Sequence, residues 1–100
     1  MEVKVTKNEA QVTISVSGRI DTTTALTLGE EFNKNLTEDV KDFVLDLANC
    51  DYIASSGLRV ILQAQKTMNS RQGSMVVKNV IGDVMEVFDM TGFSDILTFA

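Results

Sequence analysis

Val44–Lys66 reads VLDLANCDYIASSGLRVILQAQK, and its reading decides the fold. The run Phe43–Leu47 (FVLDL) is short and continuously apolar, the pattern of a central strand buried on both faces. From Leu58 onward the period changes. Leu58, Ile61, Leu62 and Met68 fall near one face of a helix, with Arg59, Gln63, Lys66 and Ser70 on the opposite face. Ser55, Ser56 and Gly57 stand at the handover between the two patterns. In open α/β sheets that end of the strands is the usual place for function.

The flanking sequence extends the pattern in both directions. Val3 and Val5, then Val12, Ile14 and Val16, alternate with polar neighbours, which predicts two strands. Lys7–Ala10 (KNEA) supplies the hairpin turn. Gly18-Arg19-Ile20-Asp21 breaks the alternation, and Asp21 is a good helix cap. Ala25, Leu28, Phe32 and Leu36 then recur at three- and four-residue steps, a helix with one buried stripe. Met75–Lys78 predicts another strand. Ile81, Val84, Met85 and Phe88 predict a third helix, with Asp83, Glu86 and Asp89 outside and Gly92 as its stop. Ile96–Phe99 is expected to add a last short strand. The order β-β-α-β-α-β-α-β predicts an α/β fold, a mixed β-sheet with parallel crossovers and helices packed over it. Without repeats, proline or a linker-like stretch, residues 1–100 read as one domain.

Composition narrows the functions. At 44% hydrophobic the chain can build a core without staples, and its one cysteine, Cys50, excludes an internal disulfide. A reducing cytoplasm is the expected location. The opening MEVKVTKNEA lacks the apolar region of a signal peptide, and no run approaches the roughly 20 apolar residues of a membrane span. The net charge of −5 argues against nucleic acid as a direct partner. The charge is uneven, however. No acid lies between Tyr52 and Gly82, while Arg59, Lys66, Arg71 and Lys78 all do. A basic face on an acidic chain suits an acidic protein partner or a nucleotide, or is simply solvated. A small acidic domain of this kind is expected to be monomeric when free.

The serines lack the groups that would make them catalytic. The chain has no histidine, so a Ser-His-Asp arrangement is absent. A serine-lysine pair would need lysine at position 59, where Arg59 stands, permanently protonated. No phosphate-binding G-x-x-x-x-G-K motif and no histidine-cysteine metal set occur, so neither cofactor nor metal is expected. Glu30-Glu31 and Glu38-Asp39 read as solvated surface charge, and Cys50 as a small buried hydrophobe. Two roles remain for the serines. One could cap the helix, and one could carry a phosphate, which a helix N-terminus favours.

VLDLANCDYIASSGLRVILQAQK also resembles the signature of the anti-sigma factor antagonists, the STAS domain family. GRIDTTTA (Gly18–Ala25) is similar to their turn into the first helix, and GDVMEVFDMTGFSDIL to their C-terminal pattern. The resemblance covers nearly the whole chain, in order. It implies a binding protein and not an enzyme. The unphosphorylated form would bind an anti-sigma factor that is itself a serine kinase with a histidine-kinase-like ATP fold, freeing the sigma factor. Phosphorylation would break the complex, and a phosphoserine phosphatase would reset it. Carried over, the phosphoacceptor is Ser56. Ser55, Gly57 and Asp21 shape the same surface, with Gly18–Thr23, including Thr22 and Thr23, as a second contact loop. Arg59 is added as a partner contact from helix geometry. One position departs from the family pattern: Ala54 stands where many members carry aspartate. STAS domains also serve in other partner-switching pathways and as accessory subunits of lipid-transport systems, which is the alternative reading.

Overall fold

The alternating valines form an antiparallel hairpin, β1 (Glu2–Asn8) against β2 (Gln11–Ile20), in a computed structural model that describes residues 1–100. Val3 pairs with Val16, Val5 with Ile14 and Asn8 with Gln11, leaving a two-residue turn. β2 does not stop at Ser17. It runs through Ile20, and the break in its pattern is taken up by register shifts between Ser15 and Ser17 and between Gly18 and Arg19. Gly18 has φ +93°, which glycine adopts without the steric penalty of a side chain.

The chain continues as α1 (Thr22–Asn35), β3 (Asp42–Ile53), α2 (Ser55–Ser70), β4 (Ser74–Lys78) and α3 (Gly82–Met90), then one 3₁₀ turn at Phe93–Asp95. The strands lie in the order β1-β2-β3-β4, with β2, β3 and β4 parallel. This is the mixed α/β sheet that the element order predicts. Each parallel crossover moves one strand further in the same direction. Right-handed connections then lay α1 and α2 on one face, where Phe32 meets Phe43 edge to face, ring centroids 5.2 Å apart.

That geometry corrects the reading of the central strand. Phe43, Leu45 and Leu47 of β3 are buried, but Val44 and Asp46 on the other face are only half-buried. β3 is covered on one face, because neither α1 nor α2 crosses to the other. The last strand is corrected as well. Leu97 N–H still donates to Phe93 C=O at 2.9 Å, so the backbone remains turned through Leu97. Only Phe99 is left to bridge Val77, in parallel, and the expected strand Ile96–Phe99 shrinks to that contact.

On α2, Leu58, Ile61 and Met68 are buried as expected; Ala64 and Gln65 complete the buried face and Leu62 lies at its edge. Arg71 is drawn out of the basic stretch. Its Nη1 donates to the carbonyls of Leu36 and Thr37 at 3.2 and 2.5 Å, tying the end of α2 to the end of α1.

Asp39 accepts from Lys7 Nζ at 2.7 Å and from the Thr37 hydroxyl. The lysine first and the hydroxyl second hold its carboxyl at about 2, below the ordinary 3.8. A depressed carboxyl contributes stability that is present above its unfolded value and lost as pH falls through its folded one. An acid series of urea unfolding curves should therefore show a loss between about pH 4 and 2 that Asp39→Asn makes shallower. Because the pair is exposed, the loss is small and shrinks further in salt.

Candidate functional site

β2 and β3 are parallel neighbours, so the chain leaves both at the same end of the sheet. Arg19 pairs with Tyr52 and Ile20 with Ile53 in the register, which puts Asp21 beside Ala54. The Ala54 N–H donates to the Ile20 carbonyl at 2.8 Å and locks the two turns together. α1 and α2 therefore begin side by side. Gly18, Asp21, Thr22 and Thr23 share one end of the molecule with Ser55, Ser56, Gly57 and Arg59. Gly57 permits the close approach: a Cβ there would stand 2.6 Å from Ile20 Cγ2 and 3.0 Å from Ile53 Cγ1.

The two helices start differently. Asp21 caps α1, its Oδ1 accepting from the Thr23 and Thr24 amides at 3.0 and 2.9 Å. The Thr24 hydroxyl in turn accepts from the Asp21 amide at 2.8 Å, closing a capping box. The Thr24 amide and hydroxyl are the main causes holding the Asp21 carboxyl below its ordinary value. This carboxylate is turned toward its own helix, and the exposed residues of the loop are Arg19, Thr22 and Thr23. At α2 the N-cap position is Ala54, extended at φ −89°, ψ 166°, with no side-chain cap. Neither serine caps the helix, because the helix begins at Ser55 itself. Ala54→Asp should add the missing cap and raise stability by about 1 kcal/mol, roughly 4–8 °C in Tm for a domain of this size. Thermal unfolding of Ala54→Asp beside Ala54→Asn separates the cap from the added charge.

Ser56 is the acceptor expected from sequence, but its Oγ is buried and has no hydrogen-bond partner. In the folded domain Ser55, not Ser56, is the serine exposed at the surface. Arg59 is exposed and makes no ion pair, the only one in the molecule being Lys7–Asp39.

Two further residues at this end, Tyr52 and Leu26, escaped the sequence reading, and Arg19 lay within the expected Gly18–Thr23 loop without a role of its own. The Arg19 guanidinium lies 4.1 Å from the centre of the half-exposed Tyr52 ring, a cation–π pair immediately before both turns. Leu26, one turn into α1 from Thr22 and Thr23, is 72% exposed. Their common signal is position: a large side chain on the polar side of an element that ends or begins at the paired turns.

Burial pushes the Cys50 thiol up, and its sulfur donates to the Tyr52 carbonyl at 3.5 Å. No three histidine, cysteine, aspartate or glutamate side chains are grouped to hold a metal ion. No helix is long and apolar enough to cross a membrane.

This fold has known counterparts. The family model described as STAS domain matches residues 2–100. A candidate anti-sigma factor antagonist of Bordetella bronchiseptica, BtrV, is 31% identical over 100 residues, covering 100% of this chain and 86% of its own. The anti-sigma-B factor antagonist of Bacillus subtilis is 30% identical over 97 residues, covering 97% of this chain and 88% of its own. The chain belongs to the STAS domain family. Among solved structures, an anti-sigma factor antagonist from Mycobacterium paratuberculosis superposes with a TM-score of 0.87 at 20% identity, over 98% of this chain and 83% of that one. The Bacillus cell fate determinant SpoIIAA in its phosphorylated form gives 0.78 at 15% identity, over 99% and 91%. These two likenesses speak to the fold.

Proposed function

We propose that this domain is a phosphorylation-switched anti-sigma factor antagonist. Its unmodified form binds an anti-sigma factor that is also a serine kinase of the histidine-kinase-like ATP fold, and the sigma factor is released. The observation that carries this reading is the exposed Ser55 at the paired turns, in a chain with no histidine and no grouped metal ligands. The chemistry has to come from the partner. The Ser55 hydroxyl attacks the γ-phosphorus of a nucleoside triphosphate and the new O–P bond forms. The bond to the leaving diphosphate breaks, and the hydroxyl proton passes to a base of the kinase. A phosphoserine phosphatase reverses the modification by hydrolysis. The new group adds about −1.5 to −2 charges to a surface that fitted a neutral hydroxyl.

On this reading Thr22, Thr23, Arg19, Tyr52 and Arg59 meet the partner, while Asp21, Gly18 and Gly57 shape the turns. The domain acts in the cytoplasm, as a monomer when free, without contacting nucleic acid. Ala54 favours a second reading, a STAS module of another partner-switching pathway or an accessory subunit of a lipid-transport system, because it removes an acid that a sigma-pathway kinase would meet beside its acceptor.

Paired affinity capture from the native cytoplasm tests the proposal. With Ser55→Ala and Ser55→Glu as baits, a kinase-fold anti-sigma factor should be held by the alanine form and lost with glutamate. Identical partners on both baits would defeat the switch. A transporter subunit on the alanine bait would favour the alternative.

A further inference from the structure

Resting on the reading of Ser55 as acceptor, we infer that Arg59 is the internal counter-ion of the phosphorylated state. Ser55 and Arg59 are both exposed and stand four residues apart on α2. Side chains at that spacing lie one above the other on the helix surface, with Cβ atoms about 5–6 Å apart. Helical side chains lean toward the N-terminus, so the patch a residue covers lies over the turn before it. Arg59 therefore reaches back over Ser55.

Two of the other charges at this end are already engaged. The Arg19 guanidinium is stacked on Tyr52, and the Asp21 carboxylate faces the Thr23 and Thr24 amides. Asp51 precedes the turn on β3, exposed and without an ion-pair partner. Arg59 is the unpaired cation within one helical turn of the acceptor, and its planar fork matches two phosphate oxygens at once.

Two consequences follow for the switch. Without phosphate, Arg59 stands free among the groups offered to the partner. With phosphate, the guanidinium turns to it. Modification thus adds negative charge and withdraws a positive group from the same surface in one event.

The test is a ³¹P NMR titration of the full chain carrying phosphoserine at position 55, installed during translation. The second ionisation of phosphoserine ordinarily lies near about 6. In the wild-type background it should be lowered, and Arg59→Gln should raise it by about 0.3 pH unit or more, the size of a helical ion pair at this spacing. Arg59→Lys should recover part of the shift, Arg19→Gln should leave it in place, and 1 M salt should erase it. An unchanged midpoint in Arg59→Gln overturns the inference, as does a shift that Arg59→Lys fails to recover. Position 59 is exposed, and an amide spectrum confirms that each variant is folded. The titration uses no kinase, so its failure leaves the proposed function standing. Failure of the capture experiment likewise leaves this ion pair standing.

Discussion

Gly57→Ala is expected to destabilise the domain by about 1–2 kcal/mol, with a midpoint in urea that falls while the slope is unchanged. The sign is the opposite of what helix propensity gives. In a free helix interior, alanine for glycine gains up to about 1 kcal/mol. Here the added methyl would stand 2.6 Å from Ile20 Cγ2 and 3.0 Å from Ile53 Cγ1. Both isoleucines are buried, at 0% and 4% exposure, and each is the last residue of a strand. Neither can withdraw without moving its strand end. Overpacking of this kind costs about 1–3 kcal/mol, enough to outweigh the propensity gain. Because Ile20 also carries the carbonyl that accepts from Ala54, the same substitution should spread the two turns and weaken partner binding. A rise in the urea midpoint would show that the turns are loosely packed.

Phosphate on Ser55 is expected to weaken binding to the anti-sigma kinase by about fivefold to about 150-fold. This is the roughly 1–3 kcal/mol scale of an added charge and its bulk forced into an interface built around a neutral hydroxyl. The hydroxyl sits beside the Ile20–Ala54 junction, so a partner that covers both turns must enclose it. Part of the loss should be recovered in high salt, because the repulsive share is screened while the steric share is not. Ser55→Glu carries less charge and should give a smaller loss in the same direction. Calorimetry on the three forms gives the ranking: unmodified tightest, glutamate intermediate, phosphoserine weakest. Equal affinities would remove phosphorylation from the mechanism.

Much of this architecture can be read along the chain. Val12-Ile14-Val16 and Ala25-Leu28-Phe32 keep their periods, and each period dictates an element. Asp21 caps α1 as its residue type suggests. What escaped depends on contacts distant in sequence. Asn49 and Asp51 look like loop residues, yet pairing with β2 carries β3 on to Ile53. The double-sided burial expected of Phe43–Leu47 fails because the direction of the crossovers, invisible in a local pattern, leaves one face open. Arg71 looks like part of a basic surface until the fold brings it to the Leu36 and Thr37 carbonyls. The gathering of Gly18–Thr23 with Ser55–Arg59 rests on the family resemblance at the level of sequence, and on β2 and β3 being parallel neighbours at the level of structure. Which serine is exposed turned on a single residue. α2 begins at Ser55 with Ala54 as its cap position, and that phase sends the Ser56 oxygen inward.

The most direct measurement is to incubate the domain with its anti-sigma kinase and ATP and to locate the phosphate by electron-transfer fragmentation of the intact chain. One phosphate on Ser55 is expected, in the wild type and in Ser56→Ala alike, with none on Ser55→Ala. A phosphate on Ser56, or a Ser55→Ala chain that is still modified, would contradict the assignment of the exposed hydroxyl as the switch.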